Sequence, residues 1–558
     1  MIDGPRLLAT MDMGNTPLVV LGLYMLMLLA LGVMGYLRSK TSEEDYYLAG
    51  RGQGVLVTAL TIMATFFSSA AMMGIPGLIY KDGTAFLFFV LNLPVSGAII
   101  YLLGSRIRRI GQARGYVTPG DMVADYYGGS AVLRLVVALI GFLYVIPYIV
   151  MQIKAGGYLA QRLFPDASGV VLLGQEYGAF ELGAIALSIL TMLYVLIGGM
   201  RSVAWTDVIQ GVLLLGGMLI AGLATVMAMG GPGSYFEALK ELPAEARSMP
   251  GASGIWSPWK LLTICIFASL ATMIQPGQWM RYYAAKSTRT LQRSALIFAL
   301  VLPGCFLFGV MVVGLGARVL YPPAMVDGTL LPHPVIGTSA GEFDQVVVAM
   351  LQEHVPLLLG AGVGAIAVSI ILVAVMAASM STADSNLHAL SAVLTRDVYD
   401  RFIRPQAGER ERAWFGRAVI VVATMLSLWL VNLGNSNPGF QPLALIASMM
   451  FVAIAFSCQL LPLAIDCLFV RRGTSTGAIC GMVSGILVVF LFTPFPTLLL
   501  GSELTDTWTG ITGRLSRLFD IGFCGLLVNA MVFAVVSRFT APPSPERVAA
   551  FARDADPS

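Results

Sequence analysis

The sequence predicts an all-α membrane protein with about thirteen transmembrane helices. Of its 558 residues, 57% are hydrophobic and only 12% are charged, and the mean hydropathy is +0.81. Soluble domains carry about 25% charged residues, and a helix needs about 20 apolar residues to cross a bilayer. Almost every apolar run of this chain reaches that length. The whole chain, 1–558, is therefore expected to form a single transmembrane domain.

The predicted spans follow one another closely along the chain. They lie near 16–37, 56–81, 84–104, 131–162, 178–198, 203–230, 258–282, 295–320, 345–395, 414–434, 441–470, 475–496 and 518–539. The fourth and the ninth are longer than a bilayer requires, so we expect them to tilt or to project beyond it. No cleavable signal peptide is recognised before the first span.

Lysine and arginine residues are distributed unequally between the two sides of this arrangement. If the N-terminus is external, 23 of them lie on the cytoplasmic side and nine on the other. Positive residues accumulate on the cytoplasmic side of membrane proteins. The chain is therefore expected in the plasma (inner) membrane, with an external N-terminus and a cytoplasmic C-terminus. The polar, proline-containing tail, 540–558, is predicted to be flexible.

Two spans contain residues that interrupt a helix. The second contains Gly74, Pro76 and Gly77, and the seventh contains Pro276 and Gly277. Each opens a set of five spans, 56–230 and 258–470, so the two sets enter the membrane with opposite polarity. Paired interruptions in inverted halves indicate a binding site near the midplane, where unwound backbone lines a cavity. Ordinary proline kinks are the alternative.

The composition argues against several classes of function. No Ser–His–Asp context, phosphate-binding loop or HExxH pattern is present, so we expect neither an enzyme nor an ATP-driven pump. The net charge of +3 gives no indication of a nucleic-acid partner. The six cysteines have no metal-ligand spacing, and with three histidines a histidine-based metal centre is not expected. No cofactor is predicted.

The most informative segment, 374–391, reads AVMAASMSTADSNLHALS. Its small and hydroxylated residues at i, i+3, i+4 and i+7 share one helix face, and Asp384 flanks that face. Hydroxyl, carboxylate and carbonyl oxygens are ligands for a hard cation. Small residues on one face also allow membrane helices to pack closely. The segment alone leaves a cation site and a packing face equally open. The residues of this face are Ala378, Ser381, Thr382 and Ser385.

Other polar residues inside the predicted spans allow two interpretations each. Asp207, beside Gln210, is either an acid at a helix start, favoured by the dipole, or an ion ligand. Lys154 either reaches outward to the interface or offsets a carboxylate. Tyr148 and Gln152 are i, i+4 neighbours that would line a cavity together.

Four segments follow one another in the chain as GGMRSVAWTDVIQ, QPGQWMRYYAAKS, AASMSTADSNLHALS and TRDVYDRF. With these motifs in this order, the chain resembles the sodium/solute symporter family. The match extends from YYLAGRG near residue 46 to about residue 470. The resemblance implies the leucine-transporter inverted-repeat fold. It implies a leading helix at 16–37 before the two repeats and two peripheral helices at 475–539.

The resemblance also implies two cation positions, with sodium as the coupling ion. The first is formed by the broken second span and the ninth span, at Ala64, Phe67, Ala378, Ser381 and Thr382. The second, present in some members, corresponds to Asp207, Ser381, Asp384 and Ser385. This chain departs from the sodium/proline members, because Phe66 stands where they carry an Asp, and Asp384 stands where several members have Ser.

The expected function is sodium-coupled import of a small solute by alternating access. PYIVMQIKA and ALSAVLTRDVYDRFIRP are most similar to the branch of monocarboxylate and pantothenate permeases, which implies an organic acid such as a monocarboxylate. Proton coupling, a channel and a membrane sensor that binds the solute without moving it are the alternatives. Candidate solute-binding residues are Ser68, Tyr148, Gln152, Thr272 and Gln275.

Overall fold

The computed structural model is mostly helical and describes residues 15–38, 42–164, 169–172, 175–326, 329–339, 342–436, 446–493, 496 and 502–556. The region before the first span, 1–14, and the predicted start of the eleventh span at 441–445 lie outside these residues. The α-helices are α1 (Thr16–Arg38), α2 (Glu43–Leu48), α3 (Val55–Phe66), α4 (Ile75–Asp82), α5 (Asn92–Ile99), α6 (Ser105–Arg114), α7 (Pro119–Tyr126), α8 (Ala131–Leu163), α9 (Ala179–Ala228), α10 (Pro232–Lys240), α11 (Ala244–Arg247), α12 (Pro258–Ala271), α13 (Pro276–Ala284), α14 (Thr288–Cys305), α15 (Val312–Leu320), α16 (Val346–Leu359), α17 (Ala361–Val393), α18 (Glu409–Ser436), α19 (Ile446–Ser457), α20 (Leu461–Ile465), α21 (Ser475–Phe492), α22 (Ser502–Leu518), α23 (Ile521–Ser537) and α24 (Pro545–Ala555).

Two small antiparallel hairpins lie in loops between these helices. One pairs β1 (Val170–Leu172) with β2 (Gln175–Tyr177), and the other pairs β3 (Ala324–Val326) with β4 (Thr329–Leu331). Both are only three residues long on each side, so they shape loops and leave the helices to form the core.

The described residues contain ten helices that are long and apolar enough to cross a membrane, or twelve if each bent pair counts as one span. The predicted count of thirteen is therefore not confirmed. The predicted span 345–395 is wrong as a single helix. It divides at Gly360, which has a positive φ of 79°, into α16 and α17. The sequence prediction missed this turn because apolar residues continue on both sides of the glycine.

Both spans that were predicted to be interrupted are broken, but the first break does not lie at the predicted glycines and proline. Helix α3 ends at Phe66, and Phe67 and Ser68 are not helical. Gly74, Pro76 and Gly77 lie further on, in the continuous helical stretch Ala70–Arg114. Helices α12 and α13 are separated by a four-residue break and a bend of 42°. Gly199, with φ 59°, likewise divides the long helix α9 into two spans, as the sequence predicted.

Helix α17 lies at the centre of the molecule, in contact with α1, α3, α8, α9, α13 and α18. Its segment from Ile371 to Val393 is buried without interruption. A helix surrounded on every side presents all its polar groups to neighbouring helices. The interior positions of the cation motif must therefore find their partners within the protein.

The leading helix α1 packs against α9 and α17 although much of its surface faces outward. Only 22% of an 18-residue apolar window within Thr16–Gly35 is buried. The Gln210 side-chain amide donates to the Tyr24 hydroxyl at 2.9 Å, and the Ser202 hydroxyl donates to the Gly32 carbonyl at 3.1 Å. These bonds attach α1 to the half of α9 that carries Asp207.

The prediction of a flexible tail from residue 540 is wrong for most of that segment. Helix α24 begins after Ser544, whose hydroxyl caps it, and its Phe551 is fully buried. The Arg114 guanidinium lies 4.1 Å from the centre of the Phe551 ring and also pairs with Asp554 at 2.7 Å. The polar composition concealed an amphipathic helix whose partners lie more than four hundred residues away in the chain.

We expect Phe551→Ala to detach α24 from the rest of the protein, because removing a buried aromatic ring costs about 3 kcal/mol or more. Limited proteolysis should then cleave the C-terminal segment at least tenfold faster than in the wild type. Ala549→Gln, at an exposed position of the same helix, is the matched control. Equal cleavage rates for Phe551→Ala and the wild type would contradict docking through this ring.

Candidate functional site

The break after α3 releases two carbonyl groups from their helical hydrogen bonds. In a continuous helix the amide of Ser68 would bond to Ala64 and the next amide to Thr65. The Ser68 amide instead donates to a carbonyl only two residues earlier, at 3.1 Å. The Ser69 amide donates to the side-chain oxygen of Gln152, also at 3.1 Å. The carbonyls of Ala64 and Thr65 therefore need other partners.

Hydroxyl groups of α17 meet these carbonyls. The Ser381 hydroxyl lies 3.0 Å from the Ala64 carbonyl and 3.2 Å from that of Ala378. The Thr382 hydroxyl lies 3.2 Å from the Ala64 carbonyl and 3.4 Å from that of Thr65. Oxygens that surround one hard cation at about 2.4 Å are themselves roughly 3 to 3.5 Å apart. The spacing therefore suits a small cation.

The structure thus brings together four of the five residues predicted for the first sodium position, namely Ala64, Ala378, Ser381 and Thr382. Phe67 is the first residue past α3, and its ring packs against Phe306 with centroids 5.1 Å apart. No hydrogen bond among the described residues joins its carbonyl to the other four. Thr65, which the sequence analysis did not select, contributes a carbonyl instead.

The residues predicted for the second position also lie together, one turn further along α17. The Ser385 hydroxyl lies 3.0 Å from an Asp384 carboxylate oxygen and 2.6 Å from the Ser381 carbonyl. The Tyr194 hydroxyl donates to the other Asp384 oxygen at 2.8 Å. Asp207, on α9, accepts a bond from the Thr61 hydroxyl of α3. All of these side chains are buried.

Arg281 joins this second group, which sequence reasoning did not foresee. One of its terminal nitrogens lies 3.1 Å from the Asp207 carboxylate and donates to the Ser385 hydroxyl. Arg281 is one of the 23 Lys and Arg residues that the sequence prediction assigned to the cytoplasmic side, but only 1% of it is exposed. Helix α13 continues to Ala284, so Arg281 lies inside a helix, a full turn past Pro276.

Three of the five candidate solute residues cluster at the break after α3. Besides its bond to Ser69, Gln152 donates through its side-chain amide to the Tyr148 carbonyl at 3.2 Å. The Tyr148 hydroxyl lies close to Ser68. Thr272 and Gln275 lie at the second break, and the Thr272 hydroxyl bonds to its own helix at Ala268, 2.6 Å away. Within the described part of the chain, no hydrogen bond connects these two residues to the first three.

The candidate cation and solute residues on α3, α8, α9 and α17 are at most 3% exposed. An ion or a solute in solution has no direct route to groups so deeply buried. Loading and release therefore require helices to move apart, which is the property expected of a site that opens to one side of the membrane at a time.

Lys154 lies near a carboxylate and does not reach outward. The residue is 9% exposed, and the carboxylate of Asp344, in the short 3-10 helix Glu342–Gln345, acts on its charge. The Asp344 carboxylate also accepts the Ile446 amide at 2.8 Å. Burial raises the pKa of the Asp344 carboxyl to about 6, and the Lys154 ammonium acts in the opposite direction. The pair joins α8 to the loop before α16 and to the start of α19.

The donor set at the first position is entirely oxygen. Within the described residues, no group of three or more His, Cys, Asp or Glu side chains is placed to hold a metal ion. Carbonyl and hydroxyl oxygens without a thiolate or imidazole favour a hard cation over a transition metal. Sodium fits these residues.

Known proteins that resemble this chain are also sodium symporters. The model of the sodium:solute symporter family matches residues 46–485. The sodium/proline symporter of Haemophilus influenzae is 28% identical over 481 residues, which cover 85% of this chain and 87% of the relative. That of Escherichia coli is 26% identical and covers 86% and 88%. The monocarboxylate branch is not confirmed by these relatives.

Solved structures support the predicted fold. A substrate-bound, outward-open sodium-coupled sialic acid symporter superposes with a TM-score of 0.71 at 19% identity, covering 96% of this chain and all of the other. The nucleobase-cation-symport-1 transporter Mhp1 gives 0.54 at 13% identity, covering 92% and 100%. The predicted leucine-transporter fold, with its broken second and seventh spans, is confirmed. The chain belongs to the sodium:solute symporter family, whose members are membrane transporters and not enzymes.

Proposed function

We propose that this protein imports a small solute together with sodium, with the first cation position as its sodium site. The observation that carries the proposal is the pair of carbonyls released from α3, Ala64 and Thr65, which face the hydroxyls of Ser381 and Thr382. A cation bound there would link α3 to α17. Its binding energy would then favour one arrangement of the two helices, as coupling requires.

Sodium is a sufficient driving ion. One charge crossing 100 mV releases about 2.3 kcal/mol, and a tenfold concentration gradient adds about 1.4 kcal/mol. Together they support roughly 500-fold accumulation of a neutral solute for each sodium ion. Proton coupling through the buried acids is the alternative, which uptake at fixed pH with and without sodium distinguishes.

We infer that the solute is L-proline or a similarly small amino acid. Relatives named sodium/proline symporters cover most of this chain. We therefore favour an amino acid over the monocarboxylate that we expected from the PYIVMQIKA segment. The amides at the break after α3 suit a carboxylate, because half-helix N-termini in such folds face anionic substrate groups. The Gln152 side-chain oxygen accepts a hydrogen bond from the Ser69 amide, and a solute carboxylate would compete for that donor.

We also propose that the protein lies in the plasma membrane with its N-terminus outside and its C-terminus in the cytoplasm. Without the buried Arg281, 22 Lys and Arg residues lie on the cytoplasmic side against nine on the other, which supports this orientation.

The sodium site is tested by Ser381→Ala with Thr382→Ala. We expect the half-saturating sodium concentration for uptake to rise at least about tenfold, because two oxygen ligands are lost and each is worth about 1 kcal/mol or more. Ser379→Ala is the matched control, since Ser379 is equally buried and its hydroxyl bonds only within its own helix, to Val375. A folded double variant with unchanged sodium dependence would disprove this placement.

The solute is tested by sodium-driven uptake of labelled L-proline into proteoliposomes, with lactate, pyruvate and other amino acids as competitors. We expect Tyr148→Phe and Gln152→Leu to raise the KM for the solute about tenfold or more, since a buried polar contact is lost in each. Ser188→Ala, whose hydroxyl bonds within α9, should leave KM unchanged. Uptake blocked by lactate but not by amino acids would favour the monocarboxylate instead.

The orientation is tested by a reporter enzyme fused after Ser558 and an epitope placed before Met1. We expect the reporter to be active only in the cytoplasm and the epitope to be accessible to antibody on intact cells. The reverse pattern would overturn the whole loop assignment.

A further inference from the structure

Arg281 brings a permanent positive charge into the second predicted cation position. An arginine side chain is not deprotonated in proteins, and this one is 1% exposed. Such a charge is stable in a membrane interior only if its hydrogen bonds and its counter-charge are supplied locally.

The surrounding helices supply both. The Arg281 Nε donates to the Thr61 hydroxyl at 2.9 Å, and Nη1 donates to the Gly277 carbonyl at 3.0 Å. Nη2 lies 3.1 Å from the Asp207 carboxylate and also donates to Ser385. The guanidinium thus contacts α3, α9, α17 and its own helix α13.

These contacts involve one carboxylate oxygen of Asp207 and the hydroxyl of Ser385, both of which a second sodium ion would need. Asp207 and Ser385 are two of the four residues predicted for that ion, and both already contact the guanidinium. The remaining acid, Asp384, is bonded by the Tyr194 hydroxyl and by Ser385. A sodium ion placed among the four would lie beside a fixed cation in a medium that screens charge poorly.

We propose that Arg281 is a built-in cation that replaces the second sodium ion, so that the protein binds one sodium ion per solute. This inference rests on the proposed sodium coupling at the first position. The planar guanidinium holds Asp207 and Ser385 in one arrangement, which a mobile ion would hold only while bound.

Equilibrium binding of ²²Na⁺ to the purified full-length protein, without solute, tests the inference. The wild type should bind one sodium ion with a Hill coefficient of one. Arg281→Gln should bind two, because it removes the cation and keeps Asp207, Asp384 and Ser385. Arg281→Lys, which keeps the charge, and Arg281→Gln combined with Asp207→Asn, which removes both charges, should each bind one.

Arg108→Gln is the matched control and should bind one sodium ion. Arg108 is also a buried arginine, but it donates to the backbone carbonyls of Ala285 and Lys286 and has no place in the cation group. Two sodium ions in the wild type or in Arg281→Lys would overturn the inference, as would one in a monodisperse Arg281→Gln. Should Arg281→Gln not fold, the wild-type and Arg281→Lys counts decide. A wild type that binds no sodium would instead refute the proposed sodium coupling itself.

Discussion

The break after α3 is the constraint on which the rest of the site depends. In a membrane interior, carbonyl groups that leave a helix find partners only within the protein. The carbonyls of Ala64 and Thr65 are released where α3 ends, and α17 supplies hydroxyls at that depth. This requirement explains why a serine and a threonine lie on a helix that is buried on all sides. It also explains why α3 and α17 share a site although they are more than three hundred residues apart.

Much of this arrangement was accessible from the sequence because it follows from local periodicity. The spacing of Ala378, Ser381 and Thr382 fixes them on one face of any helix. Pro276 and Gly277 mark the second break, whereas Gly74, Pro76 and Gly77 lie in the helical segments that follow the first break. The sequence did not predict that Arg281 lies in the second predicted cation position. Arg281 follows an apolar run, as interfacial arginines do. Its contact with Asp207 arises because α13 continues to Ala284, which the sequence pattern does not indicate. Similarly, α24 is docked because Phe551 packs against Arg114 and Tyr126. The composition of the tail does not reveal these distant contacts.

The two groups on α17 illustrate different ways of satisfying buried oxygens. The first consists of uncharged carbonyls and hydroxyls. The second contains two carboxylates and a guanidinium, which lies 3.1 Å from the Asp207 carboxylate. In the mechanism that we propose, the first group exchanges its ion in each cycle, and the second keeps α9, α13 and α17 connected.

The position of α1 connects the thickness of the bilayer to the region around Asp207. Its candidate span, Thr16–Gly35, has 20 residues and is about 30 Å long, which equals the hydrocarbon thickness of a typical membrane. In a thicker or thinner bilayer such a helix must tilt or shift to keep its ends in place. Because Tyr24 is bonded to Gln210, less than one turn beyond Asp207, a shift of α1 acts on the helix that carries that acid. The acyl-chain length of a reconstituted membrane therefore belongs among the conditions that define an ion-binding measurement.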